Sequence, residues 1–170
     1  PPELNSSVTV GDGVNRLKFT YEQNQLILQS INRGDKELKI TTKKIWQLTL
    51  RRSDGVKSTL DASTLRVPIR LTTKESANKK IYKFAWDKVF IAPEKELRAA
   101  VTIEYISATK NFEWFFEVDL PEGYDLVSVR FPEVAAYAIN NPENDIFVEP
   151  VYAGTAIKDP YHTIPLETKI

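Results

Sequence analysis

The chain is 170 residues long, 42% hydrophobic and 27% charged, with 23 Lys and Arg balanced by 23 Asp and Glu. That is the composition of a globular protein and the length of one domain, enough to bury roughly 70% of the unfolded surface. The absence of Cys excludes disulfides, thiolate metal sites and Cys nucleophiles, and no window approaches the ~20 apolar residues of a membrane span.

Residues 1–6 read as a tail or linker and 7–170 as a single domain. Ser7 to Val10 predicts a short first strand, closed by Gly11-Asp12-Gly13. Leu17, Phe19 and Tyr21 alternate with Arg16, Lys18 and Thr20, the period of a half-buried strand. Glu22 to Gln25 is a polar turn, Leu26 to Ile31 the return strand, and Asn32-Arg33-Gly34-Asp35 the next turn.

Trp46, Leu48 and Leu50 then keep one phase, and Ser53-Asp54-Gly55 predicts a hairpin with Val56 to Leu60. Leu65, Val67, Ile69 and Leu71 share a phase through Pro68, which points to an edge strand because Pro has no ladder donor. Thr72 to Lys80, polar and lysine-rich, is expected to be an exposed loop. Tyr82, Phe84 and Trp86 follow in phase, then Val89 to Ile91, and Leu97 to Tyr105 is the longest clean alternation.

Phe112, Trp114, Phe116, Val118 and Leu120 occupy every second position, and Pro121-Glu122-Gly123 stops the run before Leu126 to Phe131. The two runs predict a hairpin whose aromatic face needs another sheet to lie on. Val134 to Ala138 is a small apolar patch, Asn140 to Asp145 a turn, Ile146 to Glu149 a short strand, and the remainder irregular. No apolar period of 3.6 residues reaches helical length. The expected class is all-β, an antiparallel two-sheet β-sandwich.

Charge is uneven along the chain. Residues 1–85 carry 16 Lys and Arg against 8 Asp and Glu, and residues 86–170 carry 7 against 15. If strands from both halves interleave in one sandwich, these charges neutralise one another in space. The alternative, a basic half that binds nucleic acid, requires basic residues interleaved with exposed aromatics, and no such cluster is visible. The N-terminus lacks the basic region and apolar core of a signal peptide. The chain has no Met, even at position 1, so it is expected to be a processed form or a piece of a longer protein. Asn5-Ser6-Ser7 fits the N-glycosylation pattern, a match short enough to be coincidence.

No self-sufficient active-site motif is present. The one His, His162, excludes His-rich zinc sites, and it lies in a Pro-rich terminal segment without a GxSxG elbow elsewhere. The glycines fit neither a phosphate-binding loop nor a dinucleotide site, so no cofactor is expected. Asn140, Asn141, Asn144 and Asp145 read as a turn, with an all-oxygen Ca²⁺ site as the alternative. Trp46, Trp86 and Trp114 share the phase of apolar neighbours and are expected in the core, the alternative being exposed platforms for sugar stacking.

The runs FAWDKV (84–89), LRAAVTIEYI (97–106), NFEWFFEVDLPEGYDLVSVRFPEV (111–134) and DIFVEPVYAG (145–154), with Pro160 beyond them, carry a resemblance. So does the opening LKFTYEQNQLILQSINRGDKEL (17–38). In this order they resemble the N-terminal β-sandwich of multi-domain bacterial glycoside hydrolases, a domain similar in type to the galactose-mutarotase-like supersandwich. The resemblance implies a domain that does not cleave the glycosidic bond. Its partner would be a following (β/α)8 catalytic domain of the same polypeptide, against which it packs, and it can also contact glycan.

Mutarotase activity is not implied, since the two catalytic His residues are missing. Of the residues in loops, Tyr152, Tyr161 and His162 are the expected sugar contacts, with no catalytic or metal-binding residue assigned. The expected location is periplasmic or extracellular. Two alternatives stay open: an independent carbohydrate-binding or adhesin-like module, and a purely structural surface-protein scaffold.

Overall fold

The structure, a computed structural model, describes residues 7–20, 24–39 and 44–133 in full, and the strand backbone of 21–22, 146–149 and 155–158. The chain divides into two compact units, residues 1–136 and 137–170. The first is an antiparallel β-sandwich.

Four strands form its first sheet in simple succession: β1 (Ser7–Gly11), β2 (Asn15–Glu22), β3 (Gln25–Arg33) and β4 (Lys36–Lys39). Gly11 is required at the first turn. Its φ of 124° is closed to other residues, and a Cβ there would collide with the Asn15 carbonyl oxygen and lie 3.0 Å from the Phe112 ring. In β3 the register skips Gln29, with Leu28 opposite Phe19 but Ser30 opposite Lys18. This bulge reverses the inward phase, so that Leu26 and Leu28 are buried before it while Ile31 pairs with Leu17 after it. Ser30 and Asn32 are also buried, and Asn32 Nδ2 donates to Ser30 Oγ at 2.8 Å. The strand β4 was not foreseen, because one apolar residue, Leu38, gives no period to detect.

The hairpin of β5 (Gln47–Arg52) and β6 (Lys57–Asp61) forms around Ser53-Asp54-Gly55 as the sequence predicts. Next come β7 (Ile69–Ser76), β8 (Lys79–Ala92), β9 (Lys95–Ile106) and β10 (Asn111–Asp119), in one sheet of order β10-β9-β8-β7. Placing β7 at the edge agrees with Pro68. Thr72 to Lys80, however, is no loop: β7 runs on to Ser76 and β8 begins at Lys79, with only Ala77 and Asn78 between. An edge strand presents polar side chains on its solvent face, and its partner is chosen by backbone pairing, which composition does not reveal.

The predicted hairpin of 112–120 with 126–131 is also overturned. Among the described residues β10 pairs only with β9, while β11 (Tyr124–Arg130) pairs with β5, completing a third sheet of order β11-β5-β6. Residues 120–123 therefore carry the chain from one layer to the other. The arch is fastened to the β5–β6 turn, where Ser53 N donates to Gly123 O at 2.9 Å. β10 turns Phe112, Trp114, Phe116 and Val118 toward the core, whereas the β11 side chains after Tyr124 are exposed and the segment packs on the core through the residues at its ends, Tyr124 and Phe131. Phe131, just after β11, sits 5.3 Å from the Phe116 ring and 6.2 Å from Trp114.

The β7–β10 sheet is thus one layer, and the β1–β4 and β11-β5-β6 sheets meet its inner face. Phe19 contacts Phe84 and Trp114 at 5.3 and 6.1 Å, and Trp46 contacts Trp86 and Phe116, both at 5.5 Å. Trp46 and Trp86 are fully buried and Trp114 is packed against the core, so the core reading of all three holds. The Trp46–Trp86 contact is edge-on, at 89°, the arrangement that ring quadrupoles favour.

In the second unit β12 (Ile146–Glu149) pairs antiparallel with β13 (Thr155–Lys158). The first was expected. The second lies where the sequence predicts irregular chain, four residues being too few to show an alternation. Among the described residues no helix is long and apolar enough to cross a membrane.

Candidate functional site

Across the outer face of the β7–β10 sheet, one rung reads Arg70, Ala85, Ala100, Glu117. The two central alanines are only 4% and 7% exposed, although they point away from the core. Long charged neighbours lean over them. Asp87 accepts from Arg70 Nε and Nη2, both at 2.8 Å, and Lys83 Nζ donates to Glu117 Oε2 at 2.6 Å. The result is a trough of about 230 Å³ floored by Ala85 and Ala100, with Arg98 and Asp119 at one end.

A second, larger groove of about 700 Å³ adjoins it at the β7 edge and shares Arg70 and Asp87. It is lined by Val67, Pro68, Leu71 and Phe90. Its shape comes from an irregularity in β8. The register with β9 slips between Trp86 and Val89, so that Trp86 and Val89 are both buried while Phe90 is turned out and is 66% exposed. An exposed phenyl ring beside a forked guanidinium–carboxylate pair offers an apolar plane together with directed donors and acceptors. The hydrogen bond to Asp87 raises the Arg70 pKa, and the same bond lowers that of Asp87, so both stay charged at neutral pH.

The expected neutralisation of the two halves of the chain is visible here and elsewhere. Arg70–Asp87, Lys83–Glu117, Lys79–Glu104 and Arg51–Asp125 each join a base from the first half to an acid from the second.

Tyr152, Tyr161 and His162, the expected sugar contacts, lie outside the described residues, as do Asn5, Val134 to Ala138, and Asn140 to Asp145. Among the described residues no group of three His, Cys, Asp or Glu side chains is placed to hold a metal ion. Phe90, Arg70 and Asp87 were missed by sequence reasoning. The signal available was the Asp87-Lys88 break between two apolar runs, which marks the bulge but does not say which residue it turns outward.

No family model matches the chain, and no curated protein or solved structure is significantly similar to it. Fold and surface together define the first unit as an antiparallel β-sandwich domain with an open, mixed-charge sheet face and an apolar groove at its edge.

Proposed function

We propose that this chain is a non-catalytic accessory domain of a glycoside hydrolase, which supports a catalytic domain of the same polypeptide and contributes to glycan binding. The observation that carries the glycan part is Phe90, an aromatic ring two-thirds exposed beside the Arg70–Asp87 fork. Sugar rings present C–H faces that stack on such a plane and hydroxyl pairs that match such a fork. Tyr152, Tyr161 and His162 belong to the same proposal as further contacts. A periplasmic or extracellular location follows from the same reading.

The test is a glycan array and calorimetry on the 170-residue chain, beside Phe90→Ala and Arg70→Ala. Binding by the parent chain, weakened about tenfold or more in Phe90→Ala at unchanged melting temperature, supports the reading. Absence of any glycan binding removes the glycan part. A second reading, a protein scaffold, draws on the 41–43% exposure of Leu126, Val127 and Val129 on β11.

A further inference from the structure

Three turns meet at one end of the sandwich: Asp12 to Asn15 between β1 and β2, Arg33 at the end of β3, and Thr109 to Asn111 between β9 and β10. They enclose a recess of about 440 Å³, within the range of small-molecule sites. Asp12 is the one acid lining it, and its carboxylate is already committed. Oδ1 accepts from Val14 N and Asn15 N, each at 2.7 Å, and Oδ2 accepts from the Tyr105 hydroxyl and from Lys110 Nζ at 3.2 Å. The Tyr105 hydrogen bond first, then the two backbone amides, hold this carboxyl well below the usual carboxylate range. An acid so saturated has no strong acceptor left for a ligand. It serves as the anchor that fixes Lys110, whose ammonium retains donors directed elsewhere.

Arg33 lines the same recess, and among the described residues its guanidinium has no hydrogen-bond or ion-pair partner, so its five donors are unspent. Arg16 lies close by, with Nη1 donating to Gly13 O at 2.7 Å and Nη2 to Gly34 O at 3.2 Å. The recess therefore carries Arg33 and Lys110 against Asp12, an excess of positive charge even without Arg16. Asn111 adds an amide, and Val14, 54% exposed, adds an apolar surface.

We propose that this recess binds a small carboxylate-bearing ligand of monosaccharide size. Arg33 and Lys110 take the carboxylate, Asn111 takes a hydroxyl, and Val14 takes the carbon skeleton. The ligand chemistry is that of a hydroxy-acid, whether free or as the uronic-acid end of a glycan. The proposal does not rest on the glycan reading of the sheet face, which lies on other residues.

The experiment is an amide-shift titration of the ¹⁵N-labelled 170-residue chain with D-glucuronate, gluconate and D-glucose in parallel. The expected result is shifts at Gly13, Val14, Arg33, Lys110 and Asn111 with the carboxylates and none with glucose. Glucuronate alone points to the glycan end, and both acids equally to a free hydroxy-acid. Arg33→Gln and Lys110→Gln should each weaken binding about tenfold or more, the loss expected for a charge-assisted hydrogen bond. The Arg33 side chain is exposed and has no partner among the described residues, so its substitution should leave the melting temperature unchanged. No shifts with either acid, equal shifts with glucose, or undiminished binding by Arg33→Gln would each overturn the proposal.

Discussion

The Tyr105 hydroxyl, from the β7–β10 layer, donates a hydrogen bond to the Asp12 carboxylate at the β1–β2 turn of the facing layer. Tyr105 is 1% exposed and Asp12 about a quarter exposed, so the bond ties the two layers from the buried side of the recess. Burial first, then this bond, raises the tyrosine pKa, and the bond is the largest cause of the lowered Asp12 pKa. Tyr105→Phe should cost about 1.5–3 kcal/mol, the range for a hydrogen bond to a charged group, measured by urea denaturation.

Asp12 also gives the fold a pH dependence of known sign. Its folded pKa is depressed, so its contribution is present above the unfolded value of about 3.9 and is lost as pH falls through and below that value. Stability of the parent chain should fall on acidification below about pH 4 more steeply than that of Asp12→Asn. Urea midpoints of the two chains from neutral to acid pH check this, and parallel curves would refute it.

At the centre of the core, Trp46 and Trp86 are both fully buried and meet edge to face. Trp46→Ala should cost about 3–5 kcal/mol, the range for emptying an aromatic site in a close-packed core. Trp46→Phe should cost clearly less, since it keeps a ring against Trp86 and Phe116. Thermal and urea unfolding of both variants give the comparison.

Two glycines in one turn should behave oppositely. Gly11→Ala forces a Cβ onto the Asn15 carbonyl oxygen at a positive φ and should destabilise by more than about 1 kcal/mol. Gly13 has open space around its Cβ position and no positive φ, so Gly13→Ala should be neutral or stabilising by about 0.4–1 kcal/mol. Differential scanning calorimetry separates them.

The Arg70–Asp87 pair should matter to binding and hardly to stability. Both side chains are about half exposed, and exposed pairs contribute about 1 kcal/mol or less. Arg70→Ala should therefore shift the urea midpoint little, while lowering any glycan affinity measured for the parent chain.

Much of the fold is legible where one strand has one buried face. Leu97 to Tyr105 and Phe112 to Val118 announce themselves because alternate residues meet the core and nothing interrupts the period. Legibility fails where the deciding partner is remote. Thr72 to Lys80 looks like loop because its solvent-facing side chains are polar, and only the ladder with β8 makes it strand. The candidate sites were scarcely legible, since Arg70 and Asp87, or Arg33 and Lys110, are far apart in the chain and share no motif.

By itself the sequence determined the all-β class, the core placement of its three tryptophans and the balance of charge between its halves. These depend on period and composition, which are local or additive quantities. Only the tertiary structure decided that β10 and β11 lie in different layers. It also decided that Phe90 is turned outward, and that Asp12, Arg33 and Lys110 share one recess. The physical reason is that strand pairing and bulge placement are settled by how much surface two distant segments bury together, and neither segment carries that quantity alone.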